Sequence, residues 1–281
     1  MPELDVDHLR SWIGRQETLH DRVTRFPVAA LSATLDRDDP EPSAGAPLPP
    51  LWHWLYFLPT ARQSILGPDG HPARGGFLPP VPLPRRMWAG GRFVFHQPLR
   101  VDQDITRTST VSDVTVKQGR QGALCFVLVK HAISGPDGVA IEEEHDIVYR
   151  DLPPPGEQPP QPRPARTDGA WQREIRPDDT MLFRYSALTF NSHRIHYDRR
   201  YVTETEGYPG LIVHGPLIAT LLMDLLRRNT DRPVKSFRFR AVSPLFDIAP
   251  FSVHGAPDGD GAALWARNAQ GGLAMEAEAG F

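Results

Sequence analysis

A single cysteine, Cys125, stands among 281 residues, so no disulfide can form within the chain. Its setting, ALCFVLVKHAI, reads as a buried strand, and one unpaired thiol fits a reducing compartment. Long apolar runs are equally scarce: none approaches the roughly 20 residues that span a bilayer. The first residues, MPELDVDHLRSW, carry acid where a secretory signal has a basic start and an apolar core. A cytoplasmic protein with no membrane association is therefore expected. Neither sign of charge dominates. The 31 Lys and Arg against 34 Asp and Glu leave a net charge of −3, which gives no pull towards nucleic acid. Zinc-finger, helix-turn-helix and P-loop patterns are missing as well. What these absences leave is an ordinary globular balance, 40% apolar and 23% charged, in one large domain or two modest ones.

Proline and glycine are plentiful, and they punctuate the chain. Residues 153–169, PPPGEQPPQPRPARTDG, hold seven prolines. Such a stretch forms neither a helix nor an inner strand and is expected as an extended connector. It leaves two repeats, 1–152 and 170–281. A second Pro/Gly-rich stretch, 67–86 (GPDGHPARGGFLPPVPLPRR), is long for a plain connection and is expected to wrap over a site. The two repeats run through the same order of patterns, which points to duplication. Each opens on a short amphipathic segment, TRFPVAALSATLDRDD or MLFRYSALTFNSHRIHYD. An apolar stretch follows, LWHWLYFLP or VHGPLIATLLMDLL. Alternating strands come next, with hairpin turns at GPDG and QGG.

The segment 216–228, PLIATLLMDLLRR, predicts a helix with Pro216 at its first position and Arg227 and Arg228 in its last turn. Leu217, Ile218, Leu221, Leu222, Met223, Leu225 and Leu226 make it apolar nearly all round, hence buried. Such a helix followed by antiparallel strands, repeated, is an α+β pattern of sheets wrapped around central helices.

Two short stretches carry the chemistry. In 188–201, LTFNSHRIHYDRRY, Asn191, His193, His196 and Asp198 fall within eight residues. A solvated polar loop has this composition. So does the wall of a site that moves protons, since imidazole titrates near neutrality. Downstream, GLIVHGPL sets Gly215 directly before the buried helix. Glycine there lets a ligand approach the main chain. A helix N-terminus also offers unpaired N–H groups to a carbonyl oxygen turning negative. A plain helix cap is the alternative.

Together, TFNSHRIHYD and IVHGPL resemble the hydratase motif of the MaoC-like (R)-specific enoyl-CoA hydratases, which have the hotdog fold. The longer run FRYSALTFNSHRIHYD more closely resembles the double-hotdog 3-hydroxyacyl-thioester dehydratases, a group that includes mesaconyl-CoA and itaconyl-CoA hydratases. PPLWHWLYFLP and GGRFVFHQPLRVDQDITRTS extend the likeness into the first half. The resemblance implies a double hotdog, each repeat wrapped around a central helix. It also implies reversible hydration of a short or C5-dicarboxylic enoyl thioester to a 3-hydroxyacyl thioester. In that scheme His196 is the catalytic base and the Gly215 N–H is the oxyanion donor. Asn191 stands where the simpler hydratases have an acid; an amide holds a water but exchanges no proton. A single-base scheme through His196 follows. His193, Arg194, Tyr201 and His214 are the candidate substrate-binding side chains, with Arg194 set against a free carboxylate on the acyl group. Lys235, Arg238, Arg240, Arg199 and Arg200 are candidates for the carrier's phosphates.

The first repeat has no counterpart of the His-x-x-His stretch. It is expected as the wall of an acyl or pantetheine tunnel, with Trp52, Trp54, Tyr56 and Phe57 in the core. No cofactor and no metal are expected, because no carboxylate or thiolate completes a familiar ligand set around His193, His196 and His214. The partner is an acyl-CoA or acyl carrier protein thioester, and a homodimer is the expected assembly. Three other readings stay open: a carrier-protein dehydratase of fatty-acid synthesis, a hotdog thioesterase and a non-catalytic thioester-binding module.

Overall fold

The computed structural model describes residues 4–72, 75–119, 122–151 and 161–281. Alternating apolar and polar residues produce ten strands among the described residues. The first half gives β1 (Gln16–Arg22), β2 (Arg85–Phe95), β3 (Asp104–Gly119), β4 (Gly122–Gly135) and β5 (Gly138–Arg150). The second gives β6 (Trp171–Ile175), β7 (Ser236–Ala241), β8 (Phe251–Asp258), β9 (Gly261–Arg267) and β10 (Leu273–Gly280). They form one antiparallel sheet in the order β1-β3-β4-β5-β2-β7-β10-β9-β8-β6. The order reads the same from either edge once β6 to β10 are matched with β1 to β5. At the seam β2 pairs antiparallel with β7, from Gly90 opposite Arg240 to Val94 opposite Ser236. Equivalent strands paired in this way are related by a local twofold.

Among the described residues four α-helices accompany the sheet: α1 (Val6–Arg10), α2 (Arg25–Thr34), α3 (Asp179–Leu188) and α4 (Gly215–Asn229). Helices α2 and α3 pack on each other, and α4 lies against β6, β8, β9 and β10. Helix α4 runs one residue beyond the predicted segment at each end and is buried from Leu217 to Leu226. Each of its leucines contributes about 2 kcal/mol by leaving water. One charged side chain is buried among them. Asp224, 1% exposed, accepts from Arg37 Nη1 (2.7 Å), Arg173 Nη1 (2.8 Å) and Arg228 Nε (2.7 Å). Its carboxylate ties the segment after α2, strand β6 and the end of α4 to one point.

Among the described residues, the first half lacks the long central helix that duplication predicts. The equivalent stretch makes a four-residue 3-10 turn, Trp52–Leu55, between Leu51 (φ 69°) and Phe57 (φ 56°). Left-handed backbone at two residues other than glycine, with Pro59 close behind, stops a helix from propagating. Apolar cover for β3 to β5 comes instead from the Pro/Gly-rich stretch. Phe77, Leu78, Val81 and Leu83 belong to the cluster that holds Val111, Val114, Cys125, Val127 and Tyr149. Trp52, Tyr56 and Phe57 are core, and Trp54 packs against it partly buried. Cys125 is fully buried, and burial pushes its thiol up to about 11.

Of the proline-rich connector, residues 153–160 lie outside the described residues. The remainder packs on the second half: Ala165 clusters with Trp265 and Leu273, and Trp265 Nε1 donates to Arg166 O at 3.0 Å. That part is anchored and is not a free spacer. No helix among the described residues is long and apolar enough to cross a membrane.

Candidate active site

After α3 ends at Leu188, a 3-10 turn at Arg194–His196 carries His196 inward, where only 7% of it is exposed. Its Nδ1 lies 2.7 Å from Ile212 O. A carbonyl only accepts, so Nδ1 carries the proton and Nε2 keeps its lone pair. The ring stacks on His214, with centroids 3.7 Å apart and planes 18° from parallel. His214 is fully buried, and its Nε2 lies 2.8 Å from Ser186 Oγ on α3. One residue on, Gly215 opens α4. The first helical bond runs from Ile218 N–H to His214 O at 3.1 Å. The Gly215 N–H has no partner among the described residues, and the space where a Cβ would sit is open. The imidazole and the unpaired amide thus meet at one helix N-terminus.

Burial pushes the imidazoles of His196 and His193 down to about 3, and that of His214 well below its usual value; neighbouring rings add to each effect. All three are neutral at neutral pH. Asn191 Oδ1 accepts from His193 N–H at 3.0 Å and shapes the turn, and its NH2 has no partner among the described residues.

The first half clamps this segment from the other side. Ser192 Oγ donates to Gly70 O at 2.6 Å, Arg194 N–H to Asp69 O at 2.9 Å and Arg194 Nη1 to Pro68 O at 2.8 Å. Gly70 has φ 88°, and a Cβ there would stand 1.9 Å from Ser192 O. Only glycine permits that approach. The His71 ring lies 4.1 Å from that of His193, while its Nδ1 is 3.1 Å from Asp69 Oδ2. Burial works to raise the Asp69 carboxyl, but the hydrogen bonds from His71 outweigh it and hold Asp69 well below the usual carboxylate range. Asp69, Gly70 and His71 escaped motif reading; the signal was a glycine-punctuated turn inside a loop too long to be idle.

Two expected substrate contacts are engaged elsewhere. Arg194 Nε and Nη2 donate to Asp198 Oδ2 at 3.0 and 2.7 Å, and the guanidinium carbon lies 4.1 Å from the Tyr201 ring centroid. Arg194 therefore braces the segment and is not a free cation for an acyl carboxylate. Tyr201 OH donates to Glu206 Oε1 at 3.0 Å, and burial together with that carboxylate pushes the phenol up to about 12. It keeps that proton through the neutral range and does not pass it on. The phosphate candidates are paired as well: Arg238 with Glu278, Arg240 with Glu276, Arg200 with Glu204, and Arg199 with Asp179 and Asp247. Lys235 is exposed at the head of β7.

A deeper polar group lies on the inner face of the first half. Strand alternation puts Ile141, Glu143, His145, Ile147 and Tyr149 on one side of β5. Glu143 Oε2 is 3.0 Å from His53 Nε2, and its Oε1 accepts from Trp54 Nε1 at 3.2 Å. His131 pairs opposite Glu143 and has its Nδ1 2.7 Å from Ser109 Oγ. The ring of His145 lies 3.8 Å from that of Trp88. Period-two reading of VAIEEEHDIVYR, which sets a carboxylate and an imidazole on the apolar face, was the signal. Among the described residues, Asp69, His71 and His193, and likewise His131, Glu143 and His145, bring three atoms of metal-ligand type within 4.8 Å of one another. In each group protein donors already hold the carboxylate.

With that geometry in place, comparison with known proteins identifies the family. The hydroxyacyl-thioester dehydratase type 2 family matches residues 51–247. The mesaconyl-C(4)-CoA hydratase of Chloroflexus aurantiacus is 50% identical over 270 residues, 95% of each chain. The chain belongs to the hydroxyacyl-thioester dehydratase family. It is an enzyme of the hydratase and dehydratase class, as the resemblance of its histidine and glycine motifs implied. A MaoC-like dehydratase from Phytophthora capsici superposes with a TM-score of 0.69 at 12% identity, covering 99% of this chain and 98% of that one. A Mycobacterium tuberculosis protein with a double hotdog fold superposes with a TM-score of 0.60 at 10% identity, covering 95% of each. The fold of this dehydratase-family chain is the double hotdog, with the central helix of its first half reduced to the Trp52–Leu55 turn.

Proposed function

We propose that the protein catalyses the reversible hydration of a short enoyl-CoA thioester bearing a second carboxylate, of the mesaconyl type. The observation that carries the mechanism is the His196 ring, whose Nδ1–H is fixed on Ile212 O beside the unpaired Gly215 N–H. In this reading the thioester oxygen lies on the Gly215 N–H, at the positive end of α4. Nε2 of His196 takes a proton from water as the water oxygen bonds to the β-carbon. The C=C electron pair moves to the thioester oxygen, giving an enolate. The imidazolium then returns the proton to the α-carbon on the same face, which regenerates the base.

The low resting pKa of His196 keeps Nε2 unprotonated through the neutral range, and the negative charge of a dicarboxylic acyl group favours the imidazolium that forms in the reaction. The Asn191 amide donates to the water and His193 borders the acyl group, while His214, expected from the sequence as a substrate contact, is fully buried and backs the His196 ring. A cytoplasmic location, CoA as the carrier, a homodimer and the division into 1–152 and 170–281 belong to the same reading. Support for the division comes from the palindromic strand order.

The test is hydration of mesaconyl-C(4)-CoA, followed by loss of the conjugated thioester absorbance, with free thiol measured in parallel. Loss of absorbance without thiol release is expected. Thiol release in its place would make the protein a thioesterase. His196→Ala should reduce turnover by about a hundredfold or more, the usual scale of a general base; binding and conversion that survive the change refute histidine catalysis.

A further inference from the structure

With Arg194 held by Asp198, the second carboxylate of the proposed substrate needs another cation. Strand β2 provides one. Trp88 turns to the inner face, where its ring lies 3.8 Å from that of His145 and 4.9 Å from that of Trp54. Arg86, two residues earlier on β2, shares that face. Opposite it on β5 is Tyr149, which is buried in the inner cluster. Beside Arg86 in the chain, Arg85 Nη2 donates to Glu206 O, and the Arg85 guanidinium covers the Tyr208 ring at 4.9 Å. The head of β2 therefore abuts the polypeptide that leaves the histidine segment. The positive charge of Arg86 adds a small lowering to the imidazoles of His193 in that segment and of His145 in the inner group, after the larger effect of burial.

Yet Arg86 has no ion pair and no side-chain hydrogen bond among the described residues, although it is only partly exposed. Arg92, farther along β2 on the outer face, is by contrast fixed by Glu144 and Asp146. An inward cation left without an anion, opposite the buried Tyr149 and on the same face as Trp88, is arranged for an anion that arrives from outside.

We propose that Arg86 binds the free carboxylate of the acyl group and makes the site selective for dicarboxylic enoyl thioesters. The proposal rests on the hydration reading above. With the thioester on C4 of a mesaconyl group, the free carboxylate is bonded directly to the β-carbon, the carbon that takes the water. A cation that holds this carboxylate must lie near the histidine segment, and the head of β2, which carries Arg86, abuts the polypeptide that leaves that segment. A guanidinium there also fixes which face of the double bond is turned to His196, so Arg86 acts on orientation as well as on affinity.

The experiment compares wild type, Arg86→Gln and Arg86→Lys on mesaconyl-C(4)-CoA and on crotonyl-CoA, which lacks the second carboxylate. The readout is the ratio of the two kcat/KM values. Arg86→Gln should lower the preference for the diacid by about thirtyfold or more, and Arg86→Lys should restore part of it. An unchanged ratio overturns the proposal. So does an equal rise in KM for both thioesters, which would put Arg86 on the phosphates of the carrier. If wild type hydrates neither thioester, the hydration reading fails by itself. Calorimetric binding of the saturated pair, methylsuccinyl-CoA and butyryl-CoA, then decides on Arg86: loss of the preference for the acid in Arg86→Gln upholds it, and no loss refutes it. Should the Gln variant not accumulate, the Lys variant decides the matter through a smaller change in the same ratio.

Discussion

Gly70→Ala tests whether the first half of the chain positions the catalytic segment of the second. An added Cβ would lie 1.9 Å from Ser192 O, where side chains essentially never approach a neighbour within 3.0 Å. The two backbones must therefore part by roughly 1 Å, the difference between those distances. The shift acts on the hydrogen bonds from Ser192 Oγ to Gly70 O and from Arg194 N–H to Asp69 O. At about 1 kcal/mol each, with about 1 to 2 kcal/mol for alanine in left-handed backbone, the stability cost comes to about 3 to 4 kcal/mol. The effect on rate should be larger in proportion, because His196 sits four residues beyond Ser192 and a misplacement of about 1 Å can cost a hundredfold. Steady-state hydration together with thermal unfolding separates the two effects. The control is Gly76→Ala: Gly76 lies in the same loop, and a Cβ there meets nothing within 4 Å. A folded Gly70→Ala protein whose kcat/KM stays within about threefold of wild type would refute the clamp.

Asp224→Ala leaves Arg37, Arg173 and Arg228 without their shared buried carboxylate. It should cost about 3 to 5 kcal/mol, seen as a fall of about 10 °C in thermal midpoint at about 2 to 4 °C per kcal/mol; a fall under about 2 °C would mean that the network contributes little. Acid should destabilise the fold. The imidazoles of His145, His193 and His196 are depressed to about 3, that of His131 to about 4 and that of His214 well below its usual value. Below about pH 6.5 the unfolded chain binds protons that the folded chain refuses. Their stabilising contribution is thus complete above that pH and is lost as pH falls towards 4 and 3, with a slope of up to about 1.4 kcal/mol per pH unit for each ring. Urea midpoints that stay level from pH 7 to pH 4 would contradict this.

Much of the architecture was legible because its signal is local and periodic. Alternation in GALCFVLVKHAIS and VAIEEEHDIVYR gave the β4–β5 hairpin, and the apolar character of 216–228 gave α4 to within one residue at each end. His196 and Gly215 were legible as a motif, since both belong to the second repeat and lie close in sequence. What escaped depends on contacts between distant residues. Ser192 and Gly70 are 122 positions apart, and no periodicity in either loop announces that they touch. Arg194 looked available because a sequence displays the charge but not Asp198 folded back against it. The missing central helix of the first half has another cause. LWHWLYFLP is apolar enough for a helix, but the left-handed Leu51 and Phe57 confine it to one turn, and aromatic packing with the Glu143 contacts of His53 and Trp54 holds it there.

The seam between β2 and β7 has a consequence for how such an enzyme can diversify. In an assembly of two identical chains every substitution appears twice, so neither copy can abandon a function without its twin abandoning it too. Here the five residue pairs from Gly90 to Val94 join two halves of one polypeptide, and their encounter is intramolecular, indifferent to dilution. One half is free to specialise as scaffold while the other keeps the reactive groups, and a single gene can tune each without compromise to its neighbour.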